Sequence, residues 1–162
     1  MPLHPCSKYD ILRGNKRKRE GIFMRIMAID YGDAHTGIAI SDLTGFLAGF
    51  TTVIDAYRPE VVADRIAALA KEHGVEELVL GHPINMDGTR GPRSEKAQAM
   101  KALLEETTSL PVVLWDERRT TIDAHQILMN SGKNAKKRKK VVDAVAATLI
   151  LEGYLTYKKS HP

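Results

Sequence analysis

The stretch RIMAIDYGDAHTGIAISD, residues 25–42, constrains this chain more than any other. Two short apolar runs flank a turn containing Gly32, and the first of them ends on a carboxylate, Asp30. Runs of this length bounded by turn residues read as buried strands, and two in succession read as an antiparallel pair. A third segment, FLAGFTTVI at 46–54, is rich in β-branched and aromatic residues and extends the pair into a meander. A strand built for a core that stops on a charge is either entering a turn or presenting that charge for chemistry.

Beyond the meander, helical spacing alternates with short apolar runs. Residues 59–73 read as a helix, with Pro59 in the first turn, Glu60 complementing the dipole and Gly74 as the stop. Its buried stripe is Val62, Ile66, Leu69 and Ala70. ELVLG at 77–81 reads as a short buried strand, followed by the turn-rich loop HPINMDGTRGP. A helix from 92 to about 106 presents Ala97, Met100, Leu103 and Leu104, and PVVLW at 111–115 is another buried strand that ends in Asp116 and Glu117. Thr120 or Thr121 caps a short helix in TTIDAHQILMNSG, with Asp123 reaching back and Gly132 ending it. The last helix starts within a lysine run and continues through VVDAVAATLILEGYL. The order βββαβαβα predicts an α/β fold: a mixed sheet with helices on both faces.

A chain of 162 residues suits one domain, and 43% apolar with 27% charged residues is the balance of a soluble globular protein. No apolar run approaches the roughly 20 residues of a membrane helix, so no membrane partner is expected. Residues 1–23 read as a disordered basic extension, and the folded domain as 24–158. The extension carries charge without a hydrophobic signal core, and the single cysteine, Cys6, excludes a disulfide framework; a cytoplasmic location is expected. The net charge of +4 is unevenly spread. Lys16, Arg17, Lys18 and Arg19 form one basic cluster, and Lys133, Lys136, Lys137, Arg138, Lys139 and Lys140 form another. Such clusters are either solvated loops or contacts for a polyanion.

Three acidic positions stand out. Asp30 and the pair Asp116/Glu117 end strands expected to be parallel, whose carboxyl ends face one crevice. Asp143 lies on a helix face with Ala146, Ala147 and Ile150, while Thr148 and Glu152 lie opposite. An ionised carboxylate on an apolar face is costly unless compensated. Taken singly, Asp30 reads as a turn residue, and Asp116 or Glu117 as a partner of Arg118 or Arg119. Taken together the acids would repel one another, and a divalent cation relieves both the repulsion and the burial. Oxygen-only ligands favour Mg²⁺ or Mn²⁺. Asn85, Arg90 and Arg93 surround a turn beside a helix start where phosphate can bind. Thr120 and Thr121 either touch phosphate or cap their helix. The basic run leads directly into the helix that carries Asp143. His35, His82 and His125 have no metal-cluster spacing and read as structural, and Trp115 reads as core.

Four blocks carry a resemblance: AIDYGDAHTGIAISD, LVLGHPINMDGTRGP, WDERRTTIDA and KKRKKVVDAVAATLILEGYL. They resemble the YqgF family, also called RuvX, of ribonuclease H-like proteins. The resemblance implies a ribonuclease H-like five-stranded sheet whose first three strands are antiparallel, and a metal-dependent phosphodiester hydrolase. It places the family's acidic set on Asp30, Glu117 (with Asp116 as the alternative middle ligand) and Asp143. The second acid of the wider ribonuclease H pattern is absent here, because that strand ends in LGHP. Residues 1–23 have no counterpart in the family pattern. Members are assigned to maturation of the 5′ end of pre-16S ribosomal RNA, and others to resolution of Holliday junctions. The partner is therefore nucleic acid, pre-rRNA or branched DNA, with ribosomal particles a further expected partner and either a monomer or a homodimer as the acting species. The expected chemistry is two-cation hydrolysis, with Asp30 shared between the ions and Glu117 and Asp143 completing their shells. Arg90, Arg93, Arg118, Thr120, Thr121, Lys136, Lys137, Arg138, Lys139 and Lys140 are the expected nucleic-acid contacts. Two rivals share parts of this pattern: an actin-like phosphotransferase, which needs a second lobe, and a non-catalytic RNA-binding assembly factor, which leaves Asp143 unexplained.

Overall fold

A computed structural model describes residues 24–45, 47–119 and 135–161. The expectations for residues 1–23, for Thr120 and Thr121 and the helix they cap, and for His125 lie outside the described residues, as do those for the side chains of Lys136, Lys137, Arg138, Lys139 and Lys140. The described elements are β1 (Ile26–Asp30), β2 (His35–Ser41), β3 (Ala48–Asp55), α1 (Pro59–His73), β4 (Glu77–His82), α2 (Pro92–Thr108), β5 (Val112–Asp116), a 3₁₀ turn (Glu117–Arg119) and α3 (Ala135–Ser160).

The five strands form one sheet in the order β3-β2-β1-β4-β5. The first three strands are antiparallel, as the meander requires. β4 runs parallel to β1, and β5 runs parallel to β4. The mixed sheet expected from the sequence is therefore the observed one. Because β1, β4 and β5 share a direction, Asp30, His82 and Asp116 all emerge along the same edge.

Two apolar layers cover the sheet. Met27, Ile29, Ile38, Ile40, Leu78 and Leu80 point to one face, where Val62 and Ile66 of α1 and Met100 and Leu104 of α2 pack on them. Ile26, Ala28, Ala39 and Val79 point to the other, under Ala147, Ile150, Leu151 and Tyr154 of α3. Covering on both faces is why β4 is buried at every position and reads as an apolar run between Glu77 and His82. α1 has Pro59 at its start and ends at Gly74, whose φ of +65° explains why a glycine stops it. α2 continues to Thr108, two residues beyond the expected end, because Ser109 takes the left-handed conformation (φ 57°) that usually falls to glycine and hides the stop in the sequence. Among the described residues, no helix is long and apolar enough to cross a membrane.

Candidate metal and nucleic-acid site

Side-chain alternation assigns Asp30 to the α3 face, since Ala28 lies there and Ile29 lies opposite. Gly37 of β2 is its direct cross-strand partner. On the other side, Ile29 pairs with Leu80, so the next step along both strands sets Gly81 beside Asp30. Asp30 thus stands in a row between two glycines, and each missing side chain is replaced by part of the site.

Over Gly37 lies the backbone of α3: a Cβ built there would come within 2.6 Å of the Asp143 carbonyl carbon. Over Gly81 lies the Glu117 side chain: a Cβ there would be 2.5 Å from Glu117 Oε1 and 2.7 Å from Ile150 Cδ1. At Gly37 the neighbour is backbone, so glycine is required there for close approach and not for its φ, whereas at Gly81 the neighbours are the ends of two flexible side chains. Asp143, Ala147, Ile150 and Tyr154 share one helical face, which puts the Asp143 turn against the sheet, and its Oδ2 is buried. The structure thus brings Asp30 and Glu117 within electrostatic reach of each other and lays the backbone of Asp143 over the cross-strand partner of Asp30.

Burial, first, and the neighbouring charge of Asp30, second, push the Glu117 carboxyl from an ordinary 4.5 up to about 7, while Arg93 pulls it down. A buried carboxyl whose ionisation a neighbouring carboxylate opposes is one that a divalent cation would relieve. Among the described residues, no group of three or more His, Cys, Asp or Glu is placed to hold a metal ion.

Asp116 lies close by but points elsewhere. Its carboxylate accepts hydrogen bonds from Arg118, from Nε at 3.1 and 3.0 Å, from Nη2 at 2.7 Å and from the backbone N–H at 3.0 Å. The structure thus brings Glu117, rather than Asp116, over the sheet beside Asp30, and Arg118 is engaged by Asp116. His82 is buried and shares a 2.6 Å hydrogen bond with the buried Ser94 of α2. Burial and the charge of Arg90 keep its pKa below the ordinary range, which agrees with a structural role. His35 pairs with Asp55, and Trp115 packs edge-on against Tyr154 in the core. Asn85 closes its own loop through hydrogen bonds with Thr89, leaving Arg90 and Arg93 exposed on the acid side.

The raised Glu117 has a measurable consequence. Unfolded, it releases its proton near 4.5; folded, it holds the proton to about 7. Its contribution to stability is complete below about 4.5 and is lost as pH rises through about 7. At roughly 1.4 kcal/mol per unit, about 3 kcal/mol is at stake before relaxation and solvent reduce it. Melting curves in EDTA across that window should show the wild type losing stability relative to Glu117→Gln. Parallel curves would mean the carboxylate is neither buried nor held against Asp30.

The sequence model of a family described as "RuvX: Holliday junction resolvase" matches residues 24–157. A Halothermothrix orenii protein named "Putative pre-16S rRNA nuclease" is 44% identical over 135 residues, covering 83% of this chain and 96% of its own length. A Bacillus licheniformis protein of the same name is 45% identical over 134 residues, covering 82% of this chain and 96% of its own length. Among solved structures, "T. thermophilus RuvC in complex with Holliday junction substrate" superposes with a TM-score of 0.57 at 15% identity, covering 84% of this chain and 97% of that one. At that identity the likeness concerns the fold, which is ribonuclease H-like.

Proposed function

Because this chain belongs to the RuvX family, we propose that it is a divalent-cation-dependent nuclease acting on structured nucleic acid, and that it processes the 5′ end of pre-16S ribosomal RNA. The single observation carrying this reading is the acid row: Asp30 between two glycines, with Glu117 lying over one and the Asp143 backbone over the other. A fold has no structural need for this arrangement, because it concentrates negative charge where side chains of ordinary size would otherwise pack.

Asp30, Glu117 and Asp143 are the residues that would hold the cation. When bound, Mg²⁺ or Mn²⁺ supplies Lewis-acid polarisation of the scissile phosphate and a more acidic water. The protein's own work is positional. Arg93, close enough to Glu117 to act on it by charge, and Arg90 hold phosphates on the α2 side of the acids. The run from Lys136 to Lys140 opens the helix that carries Asp143 at the start of its third turn. Backbone contacts from that run set the register of the strand without reading its sequence.

Resolution of four-way DNA junctions is the second reading, favoured by the description of the matching family. Paired cuts on a junction would call for a symmetric dimer. Cleavage of a pre-16S fragment and of a four-way junction, each with Mg²⁺ and with Mn²⁺, separates the two. RNA cleavage on the 5′ side of the mature sequence, abolished by EDTA, is the expected result. Cutting of the junction alone would transfer the assignment to the second reading, and cutting of neither with either ion would overturn both. In the same buffers without nucleic acid, Mn²⁺ should raise the melting temperature of the wild type, because a ligand of the folded state stabilises it.

A further inference from the structure

Beside the acid row, two cavities of about 120 and 280 Å³ adjoin along the β1–β2 turn and the exposed side of α2. Gly81 and Arg93 line the smaller one, and Tyr57 stands at the far end of the larger. Tyr31, Asp33 and Lys96 line both, so the two form one trough with a shared wall. Gly81 is the glycine that Glu117 overlies from the α3 side, and Arg93, which lines the smaller cavity, lies within electrostatic reach of Glu117. The shared wall is closed by a 2.6 Å pair between Lys96 Nζ and Asp33 Oδ1, whose side chains are 57% and 82% exposed. A pair so open to water is weakly held. Tyr57 is 81% exposed, a large ring presented to solvent at the mouth of the trough.

We propose that this trough seats an unpaired flank of the substrate, one or two nucleotides beyond the cleaved bond, with Tyr57 stacking a base and Arg93 and Lys96 holding phosphates. The inference rests on the nuclease reading and names the feature of the substrate that its site selects. Unstacked bases lie on aromatic rings and thread small basic clefts, whereas a paired helix does not enter cavities of this size. Two cations along the wall, beginning next to the acids, match a backbone that leaves the reacting phosphate. Asp33 occupies Lys96 in the free protein and yields it to the incoming phosphate.

The test uses two RNAs with one cleavage site, the first carrying a single-stranded overhang and the second trimmed flush. A short labelled single-stranded RNA in EDTA reports binding without cleavage. Tyr57→Ala, at an exposed position that leaves the fold intact, should raise KM for the overhang RNA about tenfold, with kcat unchanged, and leave the flush RNA unaffected. Asp33→Asn should lower KM for the overhang RNA alone, because it releases Lys96. Equal effects on both RNAs, or none on either, would overturn the trough. If wild type cuts neither RNA but binds the short strand, and Tyr57→Ala weakens that binding, the trough stands and the nuclease reading falls.

Discussion

Asp30→Asn should lower the cleavage rate by about a thousandfold or more while leaving nucleic-acid binding intact. The change keeps the shape of the side chain and removes only its charge, so the glycine-flanked row is undisturbed. What disappears is the charge shared with Glu117 and, with it, the hold on a divalent cation. Loss of several kcal/mol of transition-state stabilisation corresponds to a rate effect of that order. Affinity for a polyanion should hold or rise slightly, because the basic residues are untouched and one negative charge has gone. A filter-binding or polarisation measurement beside the cleavage assay checks both halves. Wild-type cutting by this variant would remove Asp30 from the chemistry and with it the nuclease mechanism.

The same variant has a second readout that a purely structural Asp30 would not produce in this form. The charge of Asp30 is the second cause of the raised Glu117 pKa, after burial. Neutralising it should move the Glu117 titration down from about 7 without returning it to 4.5, because the burial remains. Carbon-detected NMR on labelled glutamate follows that titration directly. A variant that loses activity but leaves Glu117 where it was would place the two acids too far apart to share an ion.

The sequence made the acids legible, but not what brings them together. Asp30 and Glu117 could be located because strand ends are marked by turn residues, and the parallel register of β1, β4 and β5 follows from crossover connections through helices. Asp143 was legible as the charge on a small-residue face. Gly37 and Gly81 each sit inside an apolar run, where glycine weakens a strand and signals close approach by another group. What approaches each depends on contacts across 106 and 36 residues of chain, to Asp143 and Glu117, and no local pattern encodes them. Asp116 and Glu117 are adjacent and chemically alike, and strand spacing alone does not separate them. The Arg118 fork and the alternation that turns Trp115 and Glu117 toward α3 are tertiary facts. The trough was invisible for a similar reason, since Tyr31, Tyr57 and Lys96 come from a turn, a loop and a helix face that meet only when the sheet is built.

Gly37→Ala and Gly153→Ala should move stability in opposite directions, although both place a methyl between α3 and the sheet. At Gly37 the new Cβ meets the backbone of Asp143, and neither strand nor helix has a flexible end to yield. Helix and strand must part, which loosens the packing of Ala147 and Ile150 below. An overpacked contact of this kind costs about 3 kcal/mol, or roughly a 10 °C fall in melting temperature for a domain of this size. At Gly153 the nearest atoms are those of the Trp115 ring, at 3.4 to 3.6 Å, which is ordinary contact. Alanine inside a helix gains up to about 1 kcal/mol over glycine, so that variant should melt at or slightly above the wild-type temperature. The contrast separates closeness at one point from crowding of the whole interface. Activity should divide in the same way, because lifting the first turns of α3 moves Asp143 away from Asp30, whereas filling against Trp115 does not. An unchanged melting temperature for Gly37→Ala would mean that α3 does not lie on β2 at this point, and Asp143 would then have no place beside Asp30.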